Sequence, residues 1–317
     1  MIRRFLLLTS VLLVLALGAY TVYAEPVTLM LDWFPNPDHV PVYVALEKGF
    51  FAAGGLEVEL QVPADPNDPL KLVAAGRVDF AVSYQPSVII ARSEGLPILT
   101  IGVLIEHPLS TIMYLRESKI TKPSDFKGKK VGVSVSPLYD ALFEAVAEKG
   151  GLRKEDYQLI NVGFNLTPAL LSKQVDAVVG AFKNYEKIQA ELEGAQVDIL
   201  PLEENGVPDF YELVLITSDS HVSKRSKIVD GFMRGLAQGI EFTLTNPDQA
   251  FAIFLDKNPD LRDELNKRAF DATLPYFPKG QAQSAEKWIV FQDFMLGRKL
   301  IAQKSAVGSL FTNRFVP

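Results

Sequence analysis

Short apolar runs alternate with amphipathic stretches of helical period, and this alternation restricts the fold more than any other feature of the sequence. The first part of the chain predicts strands at 27–31, 56–62, 78–83 and 98–105. Between them it predicts helices at 41–51, 68–75 and 86–93. Strands that alternate with helices in this way form a mostly parallel sheet with helices on both faces. An α/β fold is therefore expected.

The same alternation begins again after residue 109, which predicts a second α/β unit. Its predicted strands are 110–116, 130–135, 157–162, 175–180, 197–201 and 211–217, with helices at 138–149 and 167–173. We expect 110–116 and 211–217 to cross between the two units. The first lobe would then combine 25–111 with 216–317, and the second lobe would be 112–215.

The last third of the chain is mainly helical, with predicted helices at 227–243, 248–256, 259–268 and 285–296. In the first of these, Gly231, Gly235 and Gly239 are spaced by four residues and share one face. Such a face allows close packing against another helix. Asp230 and Arg234 lie in the same segment and favour a water-soluble helix over a membrane helix.

The first residues have the pattern of a signal peptide. Arg3 and Arg4 precede an apolar stretch at 5–19, and Val22 and Ala24 are suited to the cleavage site. We expect residues 1–24 to be removed on export to the periplasm, so that the mature chain begins at Glu25. A retained anchor is the alternative, although the stretch is short for a span of about 20 residues. A lipoprotein anchor is excluded because the chain has no cysteine.

The composition argues against several functions. The absence of cysteine excludes disulfides, thiolate catalysis and iron–sulfur clusters. The net charge of −6 and the lack of a long basic run argue against nucleic-acid binding. The chain has three histidines and none of the common hydrolase, zinc-protease or nucleotide-binding motifs. We therefore expect a non-enzymatic protein without a metal or cofactor.

The most unusual segment is 31–39, which directly follows the first predicted strand. Its prolines oppose helix and strand pairing, so polar and aromatic side chains are displayed on a stiff loop. Ligands of α/β sheets bind beyond the carboxyl ends of strands. The binding candidates here are Asp32, Trp33, Asn36 and His39. The alternative is that Trp33 and Phe34 belong to the core and His39 caps the next helix.

Three further segments lie at predicted strand ends and add binding candidates. They supply Ser83, Tyr84, Gln85, Ser134, Tyr139, Asn184, Tyr185 and Glu186. The first of these segments also begins a helix, where free backbone N–H groups can bind polar ligand atoms. Simple helix capping is the alternative for residues 83–87, and a solvated loop is the alternative for residues 183–186.

Several segments together resemble the NMT1/THI5-like proteins. The matching stretches, in order, are 31–36 with His39, 43–46, 49–51, 82–87, 107–109, 176–178, Gly180 and 184–186. The resemblance implies the periplasmic-binding-protein type II fold, with two α/β lobes joined by a two-strand hinge. It also implies a periplasmic binding protein of an ABC importer that binds a pyrimidine precursor of thiamine, either formylaminopyrimidine or hydroxymethylpyrimidine.

The resemblance also implies roles for individual residues. Trp33 would form one aromatic wall, Asn36 and His39 would lie near the ligand, and Tyr185 and Glu186 would meet the pyrimidine from the second lobe. As a hypothesis of our own, the second wall is Tyr84, Tyr139 or Tyr185, and Glu186 accepts a hydrogen bond from the exocyclic amine. Lys183 stands where the transporter proteins are expected to have an aromatic residue, which leaves the exact ligand open.

The expected partners are the small pyrimidine ligand and an ABC permease of the inner membrane, with the binding protein itself a monomer. A binding protein for another solute, such as a riboflavin-like compound, a sulfonate, nitrate or bicarbonate, is the first alternative. A secreted enzyme acting on pyrimidines is the second, and a sensor input module is the third. The synthase branch of the family carries an essential cysteine-rich motif, which this cysteine-free chain lacks.

Overall fold

The computed structural model describes residues 24–317, so the predicted signal peptide lies outside the described residues apart from Ala24. Two five-stranded sheets form the framework, in the orders β2-β1-β3-β10-β4 and β7-β6-β8-β5-β9. The strands are β1 Glu25–Met30, β2 Leu56–Gln61, β3 Phe80–Ser83, β4 Ile98–Ile105, β5 Ser110–Leu115, β6 Lys130–Val133, β7 Gln158–Asn161, β8 Ala177–Phe182, β9 Val197–Pro201 and β10 Leu213–Ser218.

The helices lie between and after these strands. They are α1 Val40–Glu47, α2 Phe50–Ala53, α3 Asp68–Ala74, α4 Gln85–Ser93, α5 Leu138–Lys149, α6 Leu166–Leu171, α7 Glu186–Leu192, α8 Asp219–Lys224, α9 Ser226–Thr245, α10 Pro247–Lys257, α11 Glu264–Thr273, α12 Ala285–Gly297 and α13 Val307–Leu310. Within residues 24–317, none of the helices is both long enough and apolar enough to cross a membrane.

The two sheets have the same internal plan. In the first, β1 pairs in parallel with β2 and β3, and β10 is antiparallel to β3 and β4. In the second, β6 pairs in parallel with β7 and β8, and β5 is antiparallel to β8 and β9. The side chains of β4 are buried along its whole length, as expected for a strand covered on both faces. We call the halves built on these sheets the first and second lobes.

The chain passes from the first sheet to the second through residues 106–109 and returns through 202–212. The strands predicted to cross do not span both sheets, because β5 lies in the second sheet and β10 in the first. We propose that the lobe boundaries fall within these two connections, a few residues from the predicted limits.

The glycine face of α9 packs closely against α1 and the end of α2 within the first lobe, in keeping with the close helix packing that its spacing predicts. An added Cβ at Gly231 would lie 2.7 Å from the carbonyl oxygen of Gly54, and one at Gly239 would lie 2.2 Å from that of Pro41. The single helix predicted over 41–51 is wrong, because α1 ends at Glu47 and α2 begins at Phe50. Gly49 separates them with a φ of 71°, a conformation that glycine adopts without strain.

Candidate functional site

The carboxyl ends of β1 and β3 in the first lobe face those of β6 and β8 in the second, and a cavity lies between them. Its empty volume is about 360 Å³. The lining side chains are Asp32, Trp33, Asn36, Asp38, Tyr84, Ser134, Tyr139, Leu166, Phe182, Tyr185 and Glu186, together with the backbone of Gly180. We call this space the interlobe cavity.

The loop after β1 is held in shape by Asn36. Its side-chain oxygen accepts a hydrogen bond of 2.9 Å from the backbone N–H of Asp38, and its side-chain amide donates to the carbonyl of Phe34 at 3.1 Å. The backbone N–H of Asn36 in turn lies 3.3 Å from Nδ1 of His39. These contacts cap a short 3-10 turn at Pro37–His39 and present Trp33 to the cavity.

Asp32 is the centre of a buried polar network. One carboxylate oxygen lies 2.9 Å from Nε2 of His39, and the other accepts a hydrogen bond of 2.9 Å from the hydroxyl of Tyr84. His39 is fully buried and does not line the cavity, so it positions Asp32 and is not placed to touch a ligand. Burial, reinforced by the Asp32 charge, raises the pKa of Tyr84 well above its usual value, so its hydroxyl remains a donor.

Aromatic rings enclose the cavity from both lobes. Trp33 packs edge-on against Phe164 of the second lobe, with ring centroids 4.5 Å apart. Tyr84 and Tyr139 meet edge-to-face at 6.2 Å. Tyr139 lies directly over Gly180, where an added Cβ would come within 2.5 Å of the ring. The bare backbone of Gly180 therefore makes room for Tyr139.

The carboxyl groups of the cavity are largely removed from water. Glu186 accepts a hydrogen bond of 2.7 Å from the backbone N–H of Phe182, yet burial raises its pKa to about 7. Burial also raises the pKa of Asp38 to about 6, against the opposing charge of His39. No Lys or Arg is among the residues that line the cavity in the described part of the chain. This surplus of carboxyl groups opposes the binding of an anion.

Asn184 joins the two lobes beside the cavity without lining it. Its side-chain amide donates to Oδ1 of Asp38 at 2.8 Å and to Oγ1 of Thr273 at 2.7 Å. All three side chains are buried. Asn184 therefore links the two lobes through buried hydrogen bonds.

The structure separates the predicted binding residues into two groups. Eight line the interlobe cavity, namely Asp32, Trp33, Asn36, Tyr84, Ser134, Tyr139, Tyr185 and Glu186. His39, Ser83, Gln85 and Asn184 do not. Ser83 lines a neighbouring chamber, and the side-chain oxygen of Gln85 accepts from the backbone N–H of Tyr211 at 2.8 Å. Gln85 therefore ties the start of α4 to the return connection between the lobes.

The sequence-based list missed four lining residues: Asp38, Leu166, Gly180 and Phe182. Asp38 lies in the same stiff loop as Trp33, and the sequence alone already indicates its carboxylate as a ligand contact. Lys183, noted as a departure from the expected aromatic residue, points elsewhere and binds Glu203 at 3.1 Å. Phe182, one residue earlier, supplies an aromatic side chain to the cavity.

Residues 24–317 contain no cluster of three or more His, Asp or Glu side chains that could hold a metal ion. What the arrangement offers instead is a cavity lined by aromatic rings together with hydrogen-bonding carboxyl and hydroxyl groups.

The fold is the periplasmic-binding-protein type II fold. The alkanesulfonate-binding protein SsuA of Xanthomonas axonopodis has the same architecture, with a TM-score of 0.72 and 16% identity over 91% of this chain and 98% of that one. The periplasmic nitrate-binding protein NrtA of Synechocystis matches with a TM-score of 0.65 and 14% identity, over 92% of this chain and 87% of that one.

Within this fold, the chain belongs to the NMT1/THI5-like family, whose model matches residues 36–250. A putative thiamine biosynthesis protein of Haemophilus influenzae is 39% identical over 89% of this chain and 90% of its own length. The formylaminopyrimidine-binding protein of Halalkalibacterium halodurans is 35% identical over 83% of this chain and 82% of its own length. A 4-amino-5-hydroxymethyl-2-methylpyrimidine phosphate synthase of Legionella pneumophila is 28% identical over 92% of each chain.

Proposed function

We propose that this protein is the periplasmic solute-binding component of an ABC importer and binds a 4-aminopyrimidine precursor of thiamine in the interlobe cavity. Formylaminopyrimidine and hydroxymethylpyrimidine are the two candidate ligands. The observation that carries the proposal is the cavity lining, which combines aromatic rings with carboxyl groups and has no Lys or Arg among its described residues. The relative named for formylaminopyrimidine binding supports the same choice.

Trp33 would stack on the pyrimidine ring from the first lobe, with Tyr185 or Phe182 opposite it in the second. Stacking contributes about 0.5–1.5 kcal/mol per pair beyond the burial of area. Micromolar affinity needs about 8 kcal/mol, so stacking alone is too weak. The remainder must come from removal of the ring from water and from directed hydrogen bonds.

Glu186 is suited to supply the directed contacts. A 4-aminopyrimidine presents an amine donor beside a ring nitrogen that accepts. A carboxyl group can accept from the amine and share a proton with the ring nitrogen, which forms a two-point contact. Because burial raises the pKa of Glu186 to about 7, the proton can reside on either partner near neutral pH. Hydrogen bonds to charged groups are worth roughly 1.5–3 kcal/mol each.

A ligand held by Trp33 and Glu186 touches both lobes, and this would couple binding to closure. A ligand shifts a conformational equilibrium only by its differential affinity for the two states. The open state would offer one of these contacts, and the closed state would offer both. The importer's permease would then recognise the closed, loaded monomer.

The alternatives are less well supported by the cavity. Sulfonate and nitrate binding call for Arg or other donors facing the anion, whereas this cavity presents Asp32, Asp38 and Glu186. We infer binding without turnover, because the chain has no cysteine and the resemblance links synthase activity to a cysteine-rich motif. Mass spectrometry of a bound pyrimidine after prolonged incubation checks this point, since any converted product would contradict it.

The proposal is tested by calorimetry with protein freed of bound solute. Trp33→Ala and Glu186→Gln should each weaken aminopyrimidine binding by at least about tenfold, equivalent to about 1.4 kcal/mol. Glu193→Gln is a matched control, since Glu193 lies just beyond the end of α7, the helix that begins at Glu186, and its side chain is exposed. Unchanged affinity in both cavity variants would overturn the proposed site.

A further inference from the structure

A second chamber lies beside the interlobe cavity, on the other side of Tyr84. It is open to solvent, with an empty volume of about 660 Å³, and both lobes contribute to it. Its walls include Pro69, Leu70, Ser83 and Ile90 from the first lobe and Val135 and Pro137 from the second. Tyr84 is the one residue that lines both spaces among the described residues.

Tyr84 is held firmly in this position. Its side chain is buried, and its hydroxyl donates to Asp32, which is itself bonded to the buried His39. If the Tyr84 ring moved aside, the Asp32 carboxylate would lose a hydrogen-bond donor in a site that water does not readily reach. Leaving a buried acceptor unpaired costs free energy. The edge contact with Tyr139 restrains the ring from the second lobe.

The chemistry of the second chamber differs from that of the interlobe cavity. Its surface is mainly apolar, and its hydroxyl groups come from Ser83, Ser87 and Ser136. Lys71 and Glu94 both line it, so charges of opposite sign offset each other. Such a space suits a neutral, largely apolar group rather than an ion.

We propose that Tyr84 is a partition that limits the size of the ligand, so that wild-type protein selects compact aminopyrimidines and rejects those carrying a second ring. The chamber behind Tyr84 is where that second ring would lie once the partition is shortened. This inference rests on the proposed function, because it assumes an aminopyrimidine in the interlobe cavity.

The experiment compares two ligands by calorimetry. The compact one is 4-amino-5-hydroxymethyl-2-methylpyrimidine, and the extended one is its neutral benzyl ether. Wild-type protein should prefer the compact ligand by at least about tenfold. Tyr84→Leu should bind the benzyl ether at least about tenfold more tightly than wild type does. Tyr84→Phe keeps the ring and loses only the hydroxyl, so it should retain the wild-type preference.

A second substitution shows where the extra ring lies. Ser87→Phe places a large side chain in the chamber, so in the Tyr84→Leu protein it should abolish the gained affinity for the benzyl ether and leave compact-ligand binding unchanged. Circular dichroism confirms that each variant is folded. If Tyr84→Leu proves unfolded, Tyr84→Val replaces it.

The outcomes separate the two proposals. Failure of wild-type protein to bind the compact ligand would overturn the proposed function and this inference with it. Normal compact-ligand binding, with no gain for the benzyl ether in the folded shortened variant, would overturn the partition alone. Equal affinity of wild-type protein for both ligands would also overturn the partition alone.

Discussion

The side-chain amide of Asn184 in the second lobe donates a 2.8 Å hydrogen bond to the carboxylate of Asp38 in the first. The hydroxyl of Thr273 donates to the same oxygen at 3.0 Å. Both donors and the carboxylate are buried. Because the partners belong to different lobes, we expect separation of the lobes to break the Asn184 contact, which would then contribute to the free energy of closure.

Asn184→Ala should therefore weaken ligand binding although Asn184 does not line the cavity. A hydrogen bond to a charged group is worth about 1.5–3 kcal/mol, so we expect a loss of affinity of about tenfold or more. Calorimetry with the compact pyrimidine measures it. Asn165→Ala, at an exposed position of the same lobe, is the control and should retain wild-type affinity. Equal affinities in the two variants would exclude a role for the Asn184 hydrogen bonds in closure.

The stability of the interlobe connection should depend on Glu212. This buried carboxylate, in the return connection, accepts from the backbone N–H groups of Leu109 at 2.7 Å and Ser110 at 2.8 Å, and from the Ser110 hydroxyl at 2.6 Å. In Glu212→Gln, an amide group would face some of these donors. We expect the free energy of unfolding to fall by about 2–3 kcal/mol. Urea denaturation measures it, with the exposed Glu106→Gln as control.

The stability of the whole protein should rise as the pH falls through the neutral range. Burial raises the pKa of Glu186 and Glu212 from 4.5 to about 7, and that of Asp38 from 3.8 to about 6. The folded state thus binds protons more strongly than the unfolded state, and the free energy of unfolding decreases with increasing pH between about 4 and about 7. The lowered pKa of Asp79 has the opposite effect, but below this range.

Urea denaturation at about pH 5.5 and about pH 8 checks this dependence, and we expect a difference of at least about 1 kcal/mol in favour of the lower pH. The double variant Glu186→Gln, Glu212→Gln removes two of the three groups, so its stability should change less between these pH values. A wild-type protein that is more stable at the higher pH would contradict the buried state of these acids.

Much of the site could be predicted because its residues follow strand ends, and strand ends can be recognised in sequence. Trp33, Tyr84, Ser134 and Glu186 each come from such a position and meet at one cavity. Periodicity does not reveal whether a polar side chain at a strand end faces the cavity or the protein interior. His39 points inward because Asp32, within the same loop, offers it a buried partner. Gln85 points inward because the backbone of Tyr211, which is distant in sequence, offers it one.

The break between α1 and α2, and the places where the chain crosses between the lobes, are also hard to predict from sequence. Apolar residues resume at Phe50 directly after the short polar stretch that ends at Gly49, so the pattern is compatible with one interrupted helix, and the positive φ of Gly49 shows the break between α1 and α2. Strands β5 and β10 look like crossing strands in sequence, but pairing within one sheet satisfies their backbone groups along their length.

At Gly180, the effect of local backbone strain can be separated from the effect of contact with Tyr139. Gly180 has a φ of 91°, and an added Cβ would lie 2.5 Å from the Tyr139 ring. Gly194, in the same lobe, has a φ of 85° with nothing within 4 Å of the added atom. Gly194→Ala should thus lose about 1–2 kcal/mol of stability from backbone strain alone and bind normally.

Gly180→Ala should lose more stability than Gly194→Ala, because Tyr139 must also move. Moving Tyr139 disturbs its hydrogen bond of 2.8 Å with Ser110 and its edge contact with Tyr84. We therefore expect affinity for the pyrimidine to fall by at least about tenfold in this variant only. Urea denaturation and calorimetry on both proteins provide the comparison. Equal losses of stability with unchanged binding would show that Tyr139 does not need the bare backbone of Gly180 to form the cavity.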